Sequence, residues 1–145
     1  MNRYVRTLAV GPSLPASLPA IAVLLGDLLV VLSFVSVGIF RHGGAPWADP
    51  TYTLETFAPL LVAWLVLAPL AGVYHRETLT DYRRTVALVV GTWIVVALVG
   101  AAIRATPQFT GGASPTFVLV NILFGTLLLL PWRVAAVWLR RRYGR

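Results

Sequence analysis

Apolar residues fall in four long blocks, at about 18–40, 54–74, 85–103 and 116–139, parted by short stretches rich in Gly, Pro, Thr and Asp. Each block meets or approaches the roughly 20 residues that carry a helix across about 30 Å of hydrocarbon at 1.5 Å per residue. None shows the two-residue alternation of a strand, and a membrane-spanning strand needs only about 9–11 residues. The pattern predicts an all-α fold: a polytopic membrane protein built as a four-transmembrane-helix bundle over 18–139. Residues 1–17, broken by Gly11, Pro12 and Pro15, are expected to form a flexible cytoplasmic tail, and 140–145 a basic one. A cleaved signal peptide would carry an apolar core of about 7–15 residues; the first block is longer and runs into Ile39-Phe40-Arg41, so it reads as a retained helix.

Composition agrees with the pattern. Of 145 residues, 58% are hydrophobic and 12% charged, against about 45–50% and about 25% in soluble domains. A soluble fold of this size has too little interior to hide that excess. Cysteine is absent, which removes disulfides, thiolate metal sites and a thiol nucleophile together.

The net charge of +7 comes from 12 basic residues, all arginine. Most flank apolar blocks, so they report topology and not nucleic-acid binding. Arg3, Arg6, Arg76, Arg83, Arg84, Arg133, Arg140, Arg141, Arg142 and Arg145 fall on one side of a four-span chain; Arg41 and Arg104 fall on the other. Ten against two places both termini in the cytoplasm under the positive-inside rule, in the cytoplasmic (plasma) membrane. Trp47, Tyr52, Tyr74, Tyr82, Trp138 and Tyr143 lie near block ends, where amphipathic rings favour the headgroup layer. The basic inner loop and C-terminal arginines are expected to meet anionic headgroups.

Asp27 is the residue the bilayer should reject. A charge deep in a span costs at least about 2.5 kcal/mol, so it should face protein or water. Arg133 on the fourth block is a plausible partner: side chains lean toward a helix's N-terminus, which brings the two toward each other on antiparallel helices. Asp27 reads either as a proton- or cation-binding carboxylate or as half of a structural ion pair. Gly26, Ser33 and Ser36, with Leu29 between, form a small-residue stripe beside it that suits close helix packing. Asn121 and Trp132 are expected to share a face with Gly125 and Leu128; Asn121, like Thr92 beside Trp93, either bonds across helices or lines a polar cavity. Pro59, Pro69 and Pro131 each remove a backbone donor and free a carbonyl that needs a local partner.

On the expected outer side, Arg41, His42, Glu55 and Arg104, with Asp49, form a polar cluster read as an interfacial salt-bridge network. His42, Asp49 and Glu55 match no metal-ligand spacing. No phosphate-binding glycine loop or nucleophile elbow is present, so no cofactor is expected.

Gly26-Asp27, Arg41-His42, Pro59 with Trp64, Trp93, Arg104, Pro115-Thr116-Phe117-Val118 and Trp132-Arg133 stand in an order that resembles the small membrane proteins grouped as Domain of Unknown Function family 3054. The resemblance spans roughly 20–135 and implies a four-helix membrane architecture with no established activity. The inner loop, with Arg76, Glu77, Asp81, Arg83 and Arg84, is more polar than is usual for that family. Three functions follow: a non-enzymatic bundle packing with itself or another membrane protein, a small proton- or cation-coupled transporter or channel subunit using Asp27, or a lipid-acting enzyme. The last lacks any nucleophile–base or metal constellation and ranks lowest.

Overall fold

The computed structural model describes residues 11–144. It contains four helices: α1 (Leu18–Arg41), α2 (Pro50–Leu70), α3 (Tyr82–Arg104) and α4 (Pro115–Tyr143). All four are long and apolar enough to cross a membrane, and no strand occurs among the described residues. The chain is a membrane protein.

Each helix starts at a side-chain cap that serves one of the otherwise unpaired first-turn N–H groups. Ser17 accepts from Ala20 N at 3.3 Å, Asp49 from Tyr52 N at 2.9 Å, Asp81 from Arg84 N at 2.8 Å and Ser114 from Phe117 N at 3.2 Å. Prolines occupy the opening turns of α1, α2 and α4, where a missing N–H costs nothing. These caps explain why α2 begins about one turn before its apolar run. It ends earlier too, because Gly72 takes a left-handed φ of 74° that stops the helix.

Helix α4 runs past the apolar block to Tyr143, so Arg140, Arg141 and Arg142 belong to its last turn and not to a separate tail. Of the expected N-terminal tail, residues 1–10 lie outside the described residues. Its remainder is non-helical and is tied to the bundle where Ser13 N donates to the carbonyl of Pro69 at 2.8 Å.

Helices pack α1 on α2, α2 on α3, α3 on α4 and α4 on α1, with no diagonal contact. Short connections make neighbours antiparallel. Because lipid is as apolar as leucine, burial of apolar area does little to hold such helices together; close packing and hydrogen bonds must. The buried row of α1 is Ala20, Val23, Asp27, Val31, Val35 and Ile39, and that of α4 is Asn121, Gly125, Leu129, Arg133 and Val137. Two expectations are corrected by these rows. Leu29 and Ser33 point away from the bundle, so the small-residue stripe does not face a neighbour as a unit; Leu129, four residues on from Gly125, is inside where Leu128 was expected.

At the centre Trp64 and Trp93 meet edge to face, ring centroids 6.0 Å apart. Trp93 lies so close to Gly125, and Trp132 to Gly26, that a Cβ at either glycine would fall inside the indole. Outward, Leu25, Leu29, Leu65, Leu98, Leu123 and Leu127 present the surface that lipid covers.

Replacing Gly125 or Gly26 with alanine is therefore expected to destabilise the bundle by about 1–3 kcal/mol, the usual cost of overpacking. Gly38→Ala, where a Cβ meets nothing within 4 Å, should be neutral or stabilising, since alanine is the better helix former. Thermal unfolding in a neutral detergent, followed by tryptophan fluorescence, separates the two classes.

Candidate functional site: a closed charge pair and an open polar cavity

Asp27 and Arg133 meet inside the bundle. Both sit in the buried rows of their helices, 0% and 1% exposed. Arg133 Nε donates to Asp27 Oδ1 at 2.7 Å and Nη2 to Oδ2 at 2.5 Å, the two-point geometry in which a guanidinium fits a carboxylate best. Trp132 Nε1 donates to Oδ1 at 3.1 Å, and the Tyr74 hydroxyl to Oδ2 at 2.7 Å. Tyr74 in turn accepts from Trp64 Nε1 at 2.8 Å. Arg133 also lies over the Tyr74 ring, 5.1 Å from its centroid.

The segment between α2 and α3 delivers Tyr74. It is no loose polar loop: Val73, Tyr74, Thr78 and Leu79 are buried. The Thr78 hydroxyl donates to Gly72 O at 2.9 Å and the Thr85 hydroxyl to Thr78 O, folding the segment back under the bundle. Tyr74 thus leaves the headgroup position expected of it and becomes a donor in the interior. Its hydroxyl donates to the carboxylate and accepts from the indole, so both of its hydrogen-bonding functions are used. Tyr74, Trp64 and Trp132 are the members of this centre that sequence reasoning missed. The signal was that a buried Tyr or Trp needs a partner for its polar tip.

Asn121 and Thr92 lie elsewhere. Thr92 is buried beside a groove of about 430 Å³ between α2 and α3, lined also by Leu67, Leu88, Gly91 and Val95. Asn121 Nδ2 donates to Phe117 O at 2.7 Å, and its backbone carbonyl accepts from Trp93 Nε1 at 2.9 Å. Its Oδ1 has no hydrogen-bond partner although the residue is only 3% exposed.

At the bundle end away from the termini, the expected outer cluster is only partly assembled. Arg104 is 4% exposed. Its Nη1 donates to Glu55 O at 3.3 Å and Thr56 Oγ1 at 3.1 Å. Glu55 O is the carbonyl that Pro59, four residues on, leaves without a helical donor, so Arg104 fills the gap the proline makes. The Glu55 carboxylate instead accepts from the Thr110 hydroxyl at 3.0 Å. The salt-bridge network expected here does not form: among the described residues the only ion pairs are Asp27–Arg133 and Arg84–Glu77. The freed carbonyl and the aromatic rings of Phe117 and Tyr52, at 5.2 and 5.9 Å, occupy the guanidinium in place of a carboxylate. Arg41 is exposed in the last turn of α1, and exposed His42 lines a cavity of about 870 Å³ together with Asp49, Tyr52, Arg104 and Asn121. No three His, Asp or Glu side chains converge among the described residues.

Removing the Tyr74 hydroxyl leaves Trp64 Nε1 without an acceptor and Asp27 with one donor fewer. Tyr74→Phe should therefore lower stability by about 1–3 kcal/mol. Tyr82→Phe, at a ring contacted by Arg141 (5.3 Å) and outside this network, should change it little; urea or denaturing-detergent titration checks both.

Neither a curated protein nor a solved structure matches the chain. The sequence pattern described as "Protein of unknown function (DUF3054)" matches residues 24–136, from just before Asp27 to just after Arg133, and the chain belongs to that family.

Proposed function

We propose that the protein is a non-enzymatic multi-pass bundle of the cytoplasmic membrane, both termini inside, that works by associating with a second copy or another membrane protein. In this reading the Asp27–Arg133 pair holds helices together and couples no transport. The observation that carries it is the closure of that centre. A carboxylate that binds and releases a proton or cation needs a route for water. Asp27 has no exposed surface, its two oxygens receive four hydrogen bonds, and neither cavity described above reaches it.

Topology has separate support. Arg76, Arg83 and Arg84 share one end of the bundle with Arg140, Arg141 and Arg142, and Arg142 lies 5.7 and 5.8 Å from the Trp138 and Tyr143 ring centroids. Cations and amphipathic rings at one level suit a cytoplasmic face in contact with anionic headgroups. For association, Ala87 and Gly91 lie one helical turn apart on the exposed side of α3, and a Cβ on Gly91 meets nothing within 4 Å. Such small pairs let a second backbone approach closely.

Asp27→Asn and Arg133→Gln should each cost roughly 3–5 kcal/mol, because either strands a buried polar partner. The double variant should lose clearly less than the sum. Additive losses, or a solute-dependent proton flux in proteoliposomes that Asp27→Asn abolishes while the protein stays folded, would overturn the structural reading. For association, the chain lacks cysteine, so one introduced at the C-terminus carries a dye. Energy transfer between labelled copies in vesicles should exceed that of random co-insertion and fall in Gly91→Leu, with unfolding unchanged. Transfer at the random level would remove self-association.

A further inference from the structure

The cavity at the end away from the termini is unlike the centre around Asp27. Its volume of about 870 Å³ falls within the roughly 300–1,000 Å³ of small-ligand sites, which are mostly apolar with a few fixed polar groups. Phe34, Val35, Ile39, Phe117 and Val120 supply apolar wall. Two polar residues that line it are more than nine-tenths buried, and each has an unused hydrogen-bonding atom: Arg104 through Nε and Asn121 through Oδ1.

Those atoms have opposite needs. Arg104 Nε is a donor on a permanent cation, and both hydrogen bonds of this side chain leave from Nη1 toward neutral oxygens. Asn121 Oδ1 is an acceptor, oriented by the bond from its own Nδ2 to Phe117 O. A buried cation with no carboxylate partner and an unpaired buried donor is costly in any low-dielectric setting. An anion that also carries a hydroxyl proton relieves both deficits at once. The other charged or titratable groups at the wall are Asp49, which caps α2 through Oδ1, Tyr52, whose ring centroid lies 5.9 Å from the Arg104 guanidinium carbon, and exposed His42. Gly111, also at the wall, lies so near the Arg104 guanidinium that a Cβ there would overlap it.

We infer that this cavity is a binding site for a phosphate-type oxyanion bearing a hydroxyl, its charge received by Arg104 and its hydroxyl proton by Asn121. Two sources share this chemistry: a hydroxylated phospholipid headgroup, whose acyl chains would pass out to the bilayer, and a small soluble phosphate. The site is separate from the Asp27 centre and does not depend on which side of the membrane it faces.

The test uses the full chain in a neutral maltoside detergent. One arm titrates inorganic phosphate against chloride at equal ionic strength by calorimetry. The other measures retention of phosphatidylglycerol against phosphatidylcholine by native mass spectrometry. Saturable binding is expected in at least one arm. A response in the phosphate arm identifies a soluble anion, and one confined to the lipid arm identifies a headgroup. Arg104→Gln and Asn121→Leu should each weaken binding on the order of tenfold or more, and Arg104→Lys less. Where Arg104→Gln fails to fold, Gly38→Leu decides, because it projects a side chain into the cavity from a wall position with open space around it. No saturable binding in either arm, or affinity unchanged in Gly38→Leu and in the folded Arg104 and Asn121 variants, overturns the inference.

Discussion

A carboxylate placed inside a membrane bundle must be matched there, and much of the terminus-side half of this protein is arranged around matching Asp27. The guanidinium of Arg133 meets it at two points and brings α4 against α1. The remaining lone pairs draw in Trp132 and Tyr74. Each recruit imposes a further condition. Trp132 reaches the carboxylate only because Gly26 has no side chain in its path. Tyr74 reaches it only because the chain leaves α2 at Gly72 and folds back under the bundle, pinned by Thr78 and Thr85. Tyr74 also gives Trp64 its acceptor, which carries the network into α2. One charge thus sets the relation of three helices and the path of a connection.

The opposite end treats a charge differently. Arg104 is nearly as buried as Arg133, yet it meets no carboxylate. Its role within the fold comes from Pro59, whose missing N–H leaves the Glu55 carbonyl open to Nη1. This explains why an arginine is tolerated at that depth without explaining its charge, because a neutral donor would serve the carbonyl as well. The excess charge and the unused Nε together motivate the anion site.

The architecture was legible because it rests on length and composition. Four apolar blocks of spanning length, with short turns between them, leave little choice besides four antiparallel helices. The Asp27–Arg133 contact was legible as well, since the other charged residues fall at or near the ends of the apolar blocks and leave these two as the acid and base set deepest within them. What surrounds the pair was not. Tyr74 sits at the end of an apolar block, where hydropathy cannot tell a ring in the headgroup layer from one turned inward; the left-handed turn at Gly72 decides it. The outer cluster was misread for a related reason. Glu55 and Arg104 do come together, but through the backbone of one and the side chain of the other. Charge counting cannot find a contact that depends on a carbonyl freed four residues before a proline.

Helices in lipid gain little from burying apolar faces against one another, so polar bonds and close contacts must fix their register. In this bundle those contacts are unevenly placed. The Asp27 network and the Gly26–Trp132 contact lie toward the terminus side, the tryptophan pair and Gly125 near the middle, and the cavity beyond them. All four helices line that cavity, which leaves space between them where helices held only by van der Waals contact would close up to fill it. The Asp27–Arg133 pair fixes α1 against α4 toward the termini, and at the other end the same two helices, joined by Arg104 from α3, wall the cavity in which Arg104 and Asn121 keep their unused atoms.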